Sequence, residues 1–86
     1  MAHRTTSSIA ALRRDALAAG PDTVSWRREF HRHPELGFEE TRTSERVRAL
    51  LAEWNIPFVA AARTGVVATL SGGRPGPTVA LRADMD

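Results

Sequence analysis

Eighty-six residues suffice for one small domain at most, and 42% hydrophobic with 26% charged residues is the composition of a folded chain, not a disordered one. The absence of cysteine excludes a disulfide framework and a thiolate metal site within these residues, and no apolar run approaches the roughly 18–20 residues that span a bilayer. Net charge is only +2, and all twelve basic residues are arginines scattered along the chain, so the pattern reads as a mixed solvated surface and no nucleic-acid partner is expected.

The N-terminus shows no apolar stretch of signal-peptide type before Arg13-Arg14, and a cytoplasmic location is expected. Ile9, Leu12, Ala16 and Leu17 recur at helical spacing. Ser7 or Ser8 can cap that helix, and Gly20-Pro21 ends it. Asp22 is a suitable N-cap for a second helix, on which Trp26 and Phe30 share a face at i and i+4. Pro34 requires that helix to finish by about His33. A third helix follows Glu39-Glu40-Thr41, with Val47, Leu50, Leu51 and Trp54 as its apolar stripe. Asn55 can take the left-handed conformation that closes it, and Pro57 follows.

The character then turns to β. Residues 58–61 read as a short strand, and 65–70 and 78–85 as a β-hairpin closed by the turn formers of 71–77. Residues 78–81 are nearly apolar on both faces, which calls for a strand covered on both sides within a larger sheet. A hairpin and three helices supply little of that cover. The expected fold class is therefore α/β, helices followed by a β-hairpin of a larger mixed sheet, with residues 1–86 as one partial domain.

Arg82-Ala83-Asp84-Met85-Asp86 is the segment richest in chemistry. In a strand, residues 82, 84 and 86 project from one face, with Cα atoms about 6.5–7 Å apart at each step. Acids at the C-terminal end of an apolar strand stand where open sheets place active-site groups. Other candidates are weaker. His31 and His33, at i and i+2, point to different sides of a helix and suit its C-terminal dipole better than a shared metal. Glu39-Glu40 reads as dipole complementation at a helix entry. Gly72-Gly73-Arg74-Pro75-Gly76 lacks the Lys-Ser/Thr and the helix that a phosphate loop needs. Trp26 and Trp54 read as core.

His31-Arg32-His33-Pro34-Glu35-Leu36-Gly37-Phe38-Glu39-Glu40, then Thr43-Ser44, Thr64-Gly65-Val66-Val67-Ala68 and Gly76-Pro77-Thr78-Val79-Ala80-Leu81-Arg82-Ala83-Asp84-Met85-Asp86, in this order, resemble the N-terminal segment of the M20 metallopeptidase family. The similarity is greatest to its amidohydrolase branch: hippurate hydrolases, N-acyl-L-amino-acid amidohydrolases and indoleacetyl-amino-acid hydrolases. The resemblance implies part of a zinc-peptidase-like catalytic domain, without the inserted dimerisation domain. It implies hydrolysis of the amide of an N-acyl amino acid by an enzyme that uses two divalent metal ions (zinc, manganese or cobalt) and forms a homodimer or homo-oligomer. Many relatives carry His-x-Asp at the strand end; here Asp84 takes the His position and Asp86 the Asp position. Asp86 thus resembles a carboxylate that orients a metal ligand, and Asp84 a site neighbour. The resemblance places the metal ligands and the general base in later segments, so no metal ligand is expected among these residues, and the chain by itself is expected to be inactive. Asn55 stands where relatives often have Gly. The rival readings are a small basic binding module and a truncated gene product without separate function.

Overall fold

The computed structural model describes residues 4–86. The chain forms α1 (Arg4–Ala18), α2 (Gly20–Arg32), α3 (Thr41–Glu53), β1 (Phe58–Ala61) and β2 (Gly65–Ala68). Three helices thus precede a two-stranded antiparallel sheet, an α/β arrangement as expected. The residues fall into two compact units, Met1–Arg32 and His33–Asp86.

In the first unit, α1 is already helical at Arg4 and contains Ser7 and Ser8, so neither serine is its cap. Only Ala19 separates α1 from α2. α2 starts at Gly20, two residues ahead of the expected Asp22 cap. Pro21 suits this first turn, where its missing N–H would have no helical partner anyway. Asp22 lies in the same turn, at the positive end of the dipole. Trp26 and Phe30 are half-buried on one face, and α2 ends at Arg32, ahead of Pro34.

In the second unit, α3 closes as the sequence indicates. Asn55 has φ 57°, its N–H donates to the Ala52 carbonyl at 3.1 Å, and the Ile56 N–H donates to the Leu51 carbonyl at 2.9 Å. Those two bonds are the Schellman pattern, which satisfies the last helical carbonyls. Val47 and Leu51 are half-buried, Leu50 is the one buried hydrophobic residue among those described, and α3 packs on β2. The other buried residues are polar: Glu40, Thr43 and Ser44.

The sheet departs from the expected pairing. β2 pairs with β1, not with residues 78–85, in the register Phe58↔Ala68 to Ala61↔Gly65. Residues 69–86 join no strand among the described residues. Closing three residues costs less entropy than closing the longer 71–77 segment. Residues 62–64 hid their turn because Ala62 and Arg63 are not turn formers, yet both take positive φ, 50° and 69°. Two-sided cover is likewise not met for Val79 and Leu81, which are 81% and 96% exposed.

Gly65 is fixed by space. A Cβ there would lie 2.6 Å from the Ala61 carbonyl oxygen, a backbone atom of the paired residue, whereas one on Gly72 would meet nothing within 4 Å. Gly65→Ala is expected to destabilise the second unit by about 1–3 kcal/mol, and Gly72→Ala to stay within about 0.5 kcal/mol of the parent. Urea melts of the two variants check this contrast.

Candidate functional site

The site is built from the segment between α2 and α3. Pro34 ends helical geometry, and the chain turns at residues 36–39, where the Glu39 N–H donates to the Leu36 carbonyl at 2.9 Å. Phe38 takes φ 63° in that turn and is 62% exposed. A bulky residue with positive φ is uncommon and marks a conformation imposed by its surroundings.

Glu35 supplies that constraint. Its Oε2 accepts the Arg42 N–H at 2.9 Å, and its Oε1 accepts both the Thr43 N–H and the Thr43 hydroxyl at 2.7 Å each. A carboxylate from seven residues upstream thus caps two N–H groups that a helix start leaves without partners. It also sits at the positive end of the α3 dipole. The Arg42 N–H first, then the Thr43 N–H and hydroxyl, hold the Glu35 carboxyl below its usual range, against a smaller opposing effect of desolvation.

With Glu35 as the cap, Glu40 is released for another task. It stands at the N-cap position but makes no capping bond with its own side chain. The capping hydrogen bonds at this helix entry come from Glu35, not from Glu39 or Glu40. Glu40 is 8% exposed, and its Oε1 accepts the Thr64 hydroxyl at 2.9 Å. A hydrogen bond to a charged group contributes about 1.5–3 kcal/mol. Strained residues such as Ala62 and Arg63 cost about 1–3 kcal/mol each. The two residues together cost about 2–6 kcal/mol, so this bond offsets part of that cost and helps hold the β1–β2 turn in its strained form.

These elements frame an open groove of about 440 Å³. Gly37, Phe38 and Glu40 form one wall, Ala62, Thr64 and Gly65 another, and residues 82–86 the third. Asp86 lies over the Gly37 backbone: a Cβ on Gly37 would be 3.6 Å from Asp86 Oδ2. Asp84 also lines the groove, but its Oδ1 accepts from Arg82 Nη2 at 2.9 Å, with 89% and 69% of the two side chains exposed. An exposed pair of this kind contributes about 0–1 kcal/mol, yet it occupies one Asp84 oxygen. The structure therefore brings Asp84 and Asp86 to one groove, as the sequence indicates, without the strand expected to present them. Glu35, Thr43, Glu40 and Thr64 were not legible as site-forming residues. The available signal was an acid just after Pro34 and a Thr two residues into a helix that lacks a conventional cap.

Among the described residues no group of three His, Cys, Asp or Glu side chains could hold a metal ion. The three carboxylates that line the groove, Glu40, Asp84 and Asp86, do not form such a group and do not by themselves fit a two-metal centre.

Comparison with known proteins decides the family. The chain is 42% identical over 65 residues to the N-acetylcysteine deacetylase of Bacillus subtilis, a match covering 73% of this chain and 17% of that protein. It is 42% identical over 66 residues to the N-acyl-L-amino acid amidohydrolase of Geobacillus stearothermophilus, covering 76% of this chain and 18% of that protein. It is 45% identical over 75 residues to an IAA-amino acid hydrolase of Arabidopsis thaliana, covering 81% of this chain and 16% of that protein. The chain belongs to the M20 amidohydrolase family. No family model and no solved structure matches it. The M20 sequence described here spans about a sixth of the length of these curated relatives. No helix among the described residues is long and apolar enough to cross a membrane.

The lowered Glu35 pKa sets a pH dependence. Its ionised form binds α3 in the folded state, so its stabilisation is fully present above the unfolded carboxyl value and is lost as pH falls through the lower folded value. Urea midpoints measured from pH 7 down to pH 3 should therefore fall more steeply for the parent than for Glu35→Gln. Parallel curves would count against the cap.

Proposed function

We propose that this chain forms part of a metal-dependent hydrolase that cleaves the amide bond of N-acyl amino acids, releasing a carboxylate and a free amino acid. The observation that carries the reading is 42–45% identity to a deacetylase, an amidohydrolase and an IAA-amino acid hydrolase, whose names share cleavage of an acyl–amino bond. The groove lends support, since it gathers Asp86 and Asp84 beside the aromatic Phe38 at a place open to a small molecule.

In this reading Asp86 is an orienting carboxylate, accepting a hydrogen bond from a metal-binding side chain and holding it in place. Asp84 is a neighbour with one of its oxygens accepting from Arg82. In the same reading, the ligands for two divalent cations and the general base are supplied by other segments of the protein. A cytoplasmic location and a homodimer or homo-oligomer complete the proposal.

The test uses a hybrid in which this sequence replaces the corresponding stretch of the Bacillus subtilis N-acetylcysteine deacetylase. The hybrid should deacetylate N-acetylcysteine. Asp86→Asn in it should lower the rate about 10- to 100-fold while the melting temperature stays unchanged. A folded hybrid without activity, or one indifferent to Asp86→Asn, contradicts the assignment.

A further inference from the structure

We propose that Thr64 is a positioning residue of the candidate site. By donating its hydroxyl to the buried Glu40 carboxylate, it fixes the β1–β2 turn against the start of α3 and so sets the opening of the groove that Asp86 lines.

Three observations carry this. The first is geometric: the 2.9 Å bond from Thr64 to Glu40 spans 24 residues of sequence and links the two walls that face residues 82–86. The second is strain. Ala62 and Arg63 both have positive φ, and the Thr64 N–H folds back onto the Ala62 carbonyl at 2.8 Å. Such backbone persists only where surrounding contacts over-determine it, and the hydroxyl bond is a side-chain tie from this turn to the helix. The third is burial. Glu40 is 8% exposed, so losing its donor leaves an acceptor without compensation from bulk water. The pull toward Thr64 is therefore strong, and the turn is not free to swing.

Glu40 then has two neighbours with different consequences. Its backbone carbonyl accepts the Ser44 N–H at 2.9 Å and starts α3, while its side chain holds the turn. Removing the Thr64 hydroxyl leaves the helix and its Glu35 cap in place and frees only the turn. This separates positioning from stability. The consequence for catalysis rests on the amidohydrolase reading; the consequence for groove geometry does not.

The test is Thr64→Val and Thr64→Ser in the 86-residue chain, followed by amide resonances. In Thr64→Val the Thr43 amide should stay at its parent position, while the Gly37, Phe38 and Asp86 amides shift. Thr64→Ser, which restores the hydroxyl, should return them. Shifts confined to residues 62–66 and Glu40, or shifts that Ser fails to reverse, overturn the proposal. Should Thr64→Val not fold, the parent chain decides: the proposal requires a nuclear Overhauser contact between Gly37 Hα and Asp86 Hβ, and its absence overturns it. In the deacetylase hybrid, Thr64→Val should lower kcat about 10-fold with KM changed less than 2-fold, and Ser should rescue it. A hybrid inactive even with Thr64 refutes the functional reading alone, because the resonances still judge the position of the groove.

Discussion

The structure of residues 33–86 hangs on one carboxylate. Glu35 lies outside any helix, just past the proline that ends α2, and its two oxygens take three hydrogen bonds from Arg42 and Thr43 at the start of α3. A helix start offers N–H groups and a positive dipole end, and Glu35 meets both demands from a distance in sequence. That choice closes the intervening segment into a loop. It sets the turn at residues 36–39, with Phe38 in its uncommon conformation. It also leaves Glu40, at the N-cap position, without a capping bond of its own, so that its side chain is available to hold Thr64.

The hierarchy is unusual because polar contacts outrank apolar ones. Leu50 is the buried hydrophobic residue of the described chain, against the polar trio of Glu40, Thr43 and Ser44. Buried polar groups stabilise only when their partners are present, and they dictate geometry more sharply than apolar packing does. Meanwhile Leu70, Val79 and Leu81 stand at least 80% exposed. Apolar side chains this exposed represent burial not realised within the described fold, at about 25 cal/mol per Å². The M20 relatives, about six times longer than the matched stretch, bring far more chain to their folds.

Much of this was legible in the sequence, for local reasons. The Pro34 stop, the Trp26–Phe30 face, the Val47, Leu50 and Leu51 part of the α3 stripe and the left-handed Asn55 each follow from a rule acting within one or two turns of chain, whereas Trp54, read as core, is 46% exposed. Asp84 and Asp86 do line one groove, but not by the strand geometry on which their i, i+2 spacing was read. What escaped depended on partners distant in sequence. The pairing of β2 with β1 was hidden behind Ala62 and Arg63, whose positive φ no side-chain preference announces. The turn-rich 71–77 segment drew attention to the wrong hairpin. The role of Glu35 was hidden because a cap supplied from seven residues away leaves no mark in a pattern built on adjacent positions.

A side chain can act at a site only if its surroundings hold that site in place. Here the walls of the groove are tied from Glu35 to the α3 start and from Glu40 to Thr64, while Asp86 is exposed and lies close to Gly37. The first link is the one on which the others depend. Hydrogen exchange of the Arg42 and Thr43 amides tests it most directly. The account predicts that both are protected like amides in the middle of α3, although first-turn amides are ordinarily open to water, and that Glu35→Ala abolishes the protection. Exchange of those two amides at the rate of an unstructured chain in the parent protein would contradict it.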